Sequence, residues 1–106
     1  MNAAQTAEAF RILGVHSSRR LQLAESLLAV NAPWTLKQLA VASGIPSNKI
    51  YYVADALRDA GVLQVVSDVR EPVTYGYSEE HLIKAIRKKA NEARDQILNV
   101  LQEATQ

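Results

Sequence analysis

The stretch from Thr35 to Leu57 limits what this chain can fold into more than any other part of it. Thr35, Leu36, Lys37 and Gln38 form a capping box: the threonine hydroxyl can accept from the Gln38 amide, and the glutamine side chain can return the bond. Trp34 and Leu39 flank it at the positions of a hydrophobic staple, which sets the angle at which the chain enters the helix. That helix must be short, ending near Ser43, because Gly44, Ile45 and Pro46 mark a turn. Ser47 is placed to cap a second helix running to about Ala60, with Gly61 as its stop. Two short helices joined so tightly have to pack on each other directly. The crossing needs a small residue, the turn needs a glycine at positive φ, and the second helix needs a β-branched anchor. Ala40, Gly44 and Ile50 supply these, and Leu36, Leu39, Ile45, Val53 and Leu57 fill the other inward positions. The pattern predicts a helix-turn-helix whose second helix turns its remaining face outward.

The flanking segments complete a small domain. Ala3 to Leu13 reads as a helix with Ala3, Ala7 and Phe10 on one face and Gly14 as a stop. Ser17 or Ser18 can cap a second helix to about Val30, whose wide apolar band of Leu21, Leu23, Ala24, Leu27 and Leu28 predicts a central core position. After Gly61 the period changes. Val62–Val66 and Val73–Tyr77 are β-prone, with a loop over 67–72 between them, and Gly76 hints at a bulge or a close approach. Ser78, followed by Glu79 and Glu80, opens a last helix that meets no breaker before about Ala104. The expected architecture is mainly α with a small β-hairpin. Residues 1–78 form one unit and 79–106 a C-terminal helix.

Composition excludes more than it assigns. The 106 residues carry no cysteine, which removes disulfide frameworks, thiolate zinc sites and cysteine nucleophiles, and fits a reducing compartment. No apolar run approaches the roughly 20 residues that span a bilayer, and no signal-peptide pattern opens the chain, so a cytoplasmic protein is expected. Twelve basic and eleven acidic residues leave a net charge of +1, spread evenly, so attraction to polyanions has to come from local placement. The two histidines, His16 and His81, have no partner at metal-ligand or catalytic spacing, and no phosphate loop or dinucleotide fingerprint is present. The expectation is no enzyme, no metal and no cofactor.

The residues Leu39, Ala40, then Ser43 through Tyr51, then Leu57 through Leu63 resemble the winged helix-turn-helix regulators, in particular the DNA-binding portion of the TrmB group and more loosely MarR. The resemblance covers about residues 21–78. It implies a domain that binds double-stranded DNA in transcriptional regulation, as a repressor, or as a small chromatin factor. TrmB regulators carry a sugar-sensing domain after the helical linker; with Gln106 as the last residue, that function is not carried over. On this reading the Ser47–Ala60 helix enters the major groove. Asn48 and Tyr51 are placed to meet base edges, and Ser47, Lys49 and Tyr52 to meet phosphates or sugars. Alternatively the tyrosines cover core edges and Lys49 is a solvated charge. Arg70 in the hairpin loop can enter a minor groove or pair with Asp68 or Glu71. Thr35 and Lys37 stand at a helix N-terminus, where free amides favour phosphate, though Lys37 can equally face solvent. Arg19, Arg20, Lys84, Arg87, Lys88 and Lys89 read by default as solvated surface, with Glu92 and Asp95 able to answer Lys88 and Arg94.

The last helix carries a second signal. Ile83, Ile86, Ala90, Ala93, Ile97, Val100 and Ala104 alternate at spacings of three and four, with Leu101 beside them: a heptad seam. A helix of about 25 residues spans about 38 Å, against a radius of gyration of about 13 Å for a compact domain of this size. Its far end should protrude and meet a second copy, with Ala3, Ala7 and Phe10 of the first helix joining a homodimer interface. The opposing reading is a winged-helix adaptor between protein partners, favoured by near-neutral charge and by Asp55 and Asp59 on the second helix of the turn motif.

Overall fold

The computed structural model describes residues 1–30, 33–67 and 72–105. Its elements run α1 (Ala3–Ile12), α2 (Arg20–Ala29), β1 (Trp34–Thr35), α3 (Leu36–Ser43), α4 (Ser47–Asp59), β2 (Leu63–Val65), β3 (Thr74–Tyr77) and α5 (Glu79–Ala104). The chain is mainly helical, with a small antiparallel sheet and a long final helix.

The local chemistry of the turn motif is as the sequence requires. Thr35 Oγ1 accepts from the Gln38 amide at 3.1 Å and Gln38 Oε1 accepts from the Thr35 amide at 2.9 Å, closing the capping box. A cap of this kind stabilises a helix by about 1 kcal/mol. Gly44 ends α3 with φ +70°, its amide bonded to the Ala40 carbonyl at 2.9 Å, a conformation in which any Cβ is strained. Ala40 packs at the edge of the core that holds Ile50. Ser43 is fully buried, donating its hydroxyl to the Leu39 carbonyl and accepting from the Ile45 amide at 3.3 Å. The residue that caps α4 differs from expectation. Pro46 occupies the N-cap, its carbonyl accepting from the amides of Lys49 (2.8 Å) and Ile50 (3.0 Å), and Ser47 is the first helical residue with no capping bond. A proline serves there because the cap contributes a carbonyl and needs no N–H of its own. Ser78 sits at the N-cap of α5 but makes no side-chain cap bond either. At α2, Arg19 is the cap residue, and Ser17 Oγ accepts from its amide at 3.2 Å.

The sheet is larger than a hairpin. Its order is β1-β3-β2, both pairs antiparallel, with Trp34 opposite Tyr75, and Leu63, Gln64 and Val65 opposite Tyr77, Gly76 and Tyr75. The register is unbroken, so Gly76 marks a close approach and not a bulge: a Cβ there would stand 3.1 Å from a Val66 methyl. The sheet and the helices enclose one core built on Phe10, Leu23, Leu39, Ile45, Leu57, Leu63 and Leu82.

Two expectations about helix faces are corrected. Phe10, expected at a dimer interface, is 0% exposed and meets the Tyr77 ring edge-on at 6.5 Å, with Ala7 buried beside it. The Ala3–Ala7–Phe10 face of α1 covers the protomer's own sheet and α2, which a spacing pattern cannot distinguish from a partner. The apolar band of α2 is narrower than it reads: Leu23, Ala24 and Leu27 are buried, while Leu21 and Leu28 are exposed. On α5, Leu82 and Ala85 join the core, and every residue from Arg87 to Thr105 is exposed. The molecule is accordingly long, 55 × 31 × 26 Å, with a radius of gyration of 15.8 Å.

Candidate nucleic-acid interface

α4 is amphipathic in the sense the turn motif demands. Ile50, Ala54 and Leu57 point inward and are buried, and Val53 is half-buried. The opposite side of its first two turns presents Ser47, Asn48, Lys49, Tyr51 and Tyr52, all exposed. The two tyrosines, 55% and 71% exposed, lie edge-to-face at 5.7 Å. That exposure removes the reading in which they cover core edges. Large aromatic side chains left in water beside amide and ammonium groups form a surface that can stack, donate and accept.

The acidic residues of α4 lie elsewhere. Asp55, half-buried, accepts from the Arg58 guanidinium at 2.9 Å on the same helix. Asp59 is in the last turn, in a groove it shares with Lys88, Lys89 and Glu92 of α5. Neither adds negative charge to the N-terminal end, where Lys49 is the charged group.

The loop before α2 supplies a neighbour that the sequence alone does not reveal. His16, Ser17, Ser18 and Arg19 face Pro46, Lys49 and Tyr52 across an open groove of about 730 Å³. Arg19 reaches over the turn of the motif: a methyl group at Gly44 would stand 2.8 Å from one of its guanidinium nitrogens. Glycine thus serves twice here, permitting the left-handed turn and leaving room for the arginine. The groove continues the outward face of α4 with two cations and several hydroxyls, a composition suited to sugar-phosphate. From the sequence, Arg19 reads as solvated surface, because its placement depends on how the α1–α2 loop folds back.

The remaining described candidates lie outside this groove, Lys37 in a separate one with Val30, Trp34 and Val41. Lys37 is exposed near the start of α3. Thr35 is half-buried, its amide and its hydroxyl lone pair both engaged in the capping box, so its part is chiefly to hold α3 in place. Arg70 lies outside the described residues. Lys84 pairs with Glu80 at 3.2 Å and Arg94 lies 3.9 Å from Asp95, as solvated helix pairs do, while no Lys88–Glu92 pair forms. His81 faces Gln64 at 2.9 Å across the sheet–helix junction, a packing role. Burial, with Glu79 nearby, pushes the Tyr77 phenol above its ordinary pKa, which keeps it neutral beneath α1. No group of three or more potential metal ligands occurs among the described residues, and no described helix is long and apolar enough to cross a membrane.

No protein-family model and no curated protein sequence matches this chain. Solved structures do. TrmBL2, described as an archaeal chromatin protein with a novel mode of DNA binding, superposes with a TM-score of 0.66 at 18% identity over 99% of this chain. The chain spans 40% of the length of TrmBL2. RV1404 from Mycobacterium tuberculosis superposes with a TM-score of 0.51 at 15% identity, over 94% of this chain and 69% of its own. With helix-turn-helix, antiparallel β1-β3-β2 sheet and these likenesses together, the chain has the winged helix-turn-helix fold.

Proposed function

We propose that this chain binds double-stranded DNA as a homodimer and acts as a transcriptional regulator, a repressor, or a small chromatin factor within the nucleoid. The observation that carries the reading is the exposed N-terminal face of α4, where Asn48, Lys49, Tyr51 and Tyr52 stand together with Arg19 alongside. A major groove admits one helix, and the side chains of its first turns reach base edges. Asn48 matches the donor–acceptor pair of adenine, and Tyr51 offers its ring to a thymine methyl. Lys49 and Arg19 flank them as phosphate contacts, Lys37 is a third from α3, and Ser47 and Tyr52 add hydroxyl donors. The description of TrmBL2 as a DNA-binding chromatin protein supports the architectural form of this reading.

The adaptor reading draws on the acidic residues of α4, and their position weakens it, since Asp55 is paired with Arg58 and Asp59 lies at the far end. A mobility-shift titration over salt separates the two. Three cationic phosphate contacts per protomer predict a slope of log K against log salt of about −5 for a dimer. Absence of a shift on any duplex at low salt contradicts DNA binding.

A further inference from the structure

Leu82 and Ala85 of α5 join the core and Ile86 is half-buried at its edge, but the other large apolar residues of the helix are exposed, in two stretches. In the first half, Ile83 and Ile86 form with Ile12 of α1 an apolar groove of about 430 Å³ on the surface of the protomer. In the second half, Ile97, Val100 and Leu101 stand on a stretch in which every described residue from Arg87 to Thr105 is exposed. Ile12, Ile83, Ile97, Val100 and Leu101 are between 36% and 63% exposed. Monomers rarely leave so continuous a strip of aliphatic surface in water.

We infer that a second copy of this chain covers the strip, with the two α5 helices antiparallel and in one register: Ile83 against the partner's Val100, Ile86 against the partner's Ile97, and Ala90 against the partner's Ala93. This rests on the homodimer reading and deepens it. All three pairings share a single centre between Asn91 and Glu92, so one two-fold axis satisfies them and the contact is isologous. Large residues meet large ones at both ends, while the alanines meet at the axis and let the helices approach closely. The free half of each helix then fills the α1–α5 groove of the other protomer. A parallel pair would join the free halves to each other but offer those grooves no occupant. The starts of the two α5 helices would lie about 37 Å apart along the coil, at 1.5 Å per residue.

The chain has no cysteine, so introduced thiols report without background. Ile86→Cys and Ile97→Cys chains, mixed and treated with a short bis-maleimide at high salt, are expected to cross-link at least about tenfold better than either variant alone. Light scattering of the unmodified chain is expected to give a dimer. Cross-linking of Ile97→Cys alone as efficient as in the mixture overturns the antiparallel register. A monomer at micromolar concentration overturns both the register and the homodimer. Cross-linking in the expected pattern by a chain that shifts no duplex upholds the register and fails the DNA reading, since high salt screens phosphate contacts but not an apolar seam.

Discussion

Replacing Arg19 and Lys49 together by alanine is expected to weaken duplex binding about 10- to 100-fold at moderate salt and to flatten the salt dependence. Each protomer would lose two phosphate contacts, and each contact removed takes about one unit from the slope of log K against log salt. The loss should be similar on every duplex sequence, because backbone contacts position the protein without reading bases. Both residues are exposed and neither belongs to the core, so the melting temperature should hardly move. A fluorescence-anisotropy titration at several salt concentrations measures affinity and slope together. An unchanged slope would remove the groove between the α1–α2 loop and α4 from the binding surface.

The second large effect is expected from Ile97→Glu combined with Leu101→Glu. In the protomer both side chains point into water, so the isolated fold should be unaffected and the helical circular-dichroism signal retained. In the proposed dimer they are buried on both sides of the two-fold axis, and four carboxylates would enter an apolar contact. Sedimentation should then report a monomer. Duplex affinity should fall by about 10²–10⁴, the range over which a second tethered site raises overall binding. A variant that remains dimeric would show that the partner does not sit on this half of α5.

What was legible in the sequence was local chemistry. Thr35, Gln38 and Gly44 each act within a few residues of themselves, and the turn motif follows from them without knowledge of the rest of the fold. The length of α5 was equally plain, because nothing between Ser78 and Ala104 interrupts it. The features that escaped depend on contacts between distant segments. β1 is a two-residue strand, too short for any periodic pattern, and exists because Trp34 and Thr35 pair with Tyr75 and Thr74. Phe10 shows the limit of face-reading: its spacing marks an apolar stripe, but only the folded chain shows that Tyr77 receives it. Pro46 displaced Ser47 from the cap because the choice between adjacent residues turns on backbone geometry at the turn.

The candidate site divides in the same way. The outward residues of α4 follow from periodicity once Ile50 and Leu57 are fixed inward, and the structure exposes Ser47, Asn48, Lys49, Tyr51 and Tyr52 together. Arg19 joins them only because its loop folds back over Gly44, where the missing Cβ leaves space for the guanidinium. No spacing rule connects those two positions.

In the proposed complex the start of α4 reads duplex DNA. Titrating the isotope-labelled chain with a short duplex while following backbone amide resonances tests it most directly. The largest shifts are expected on residues 16–19 and 47–52, with the second half of α5 unmoved. Shifts concentrated on α5 or on the Trp34–Val41 surface, with α4 silent, would contradict it.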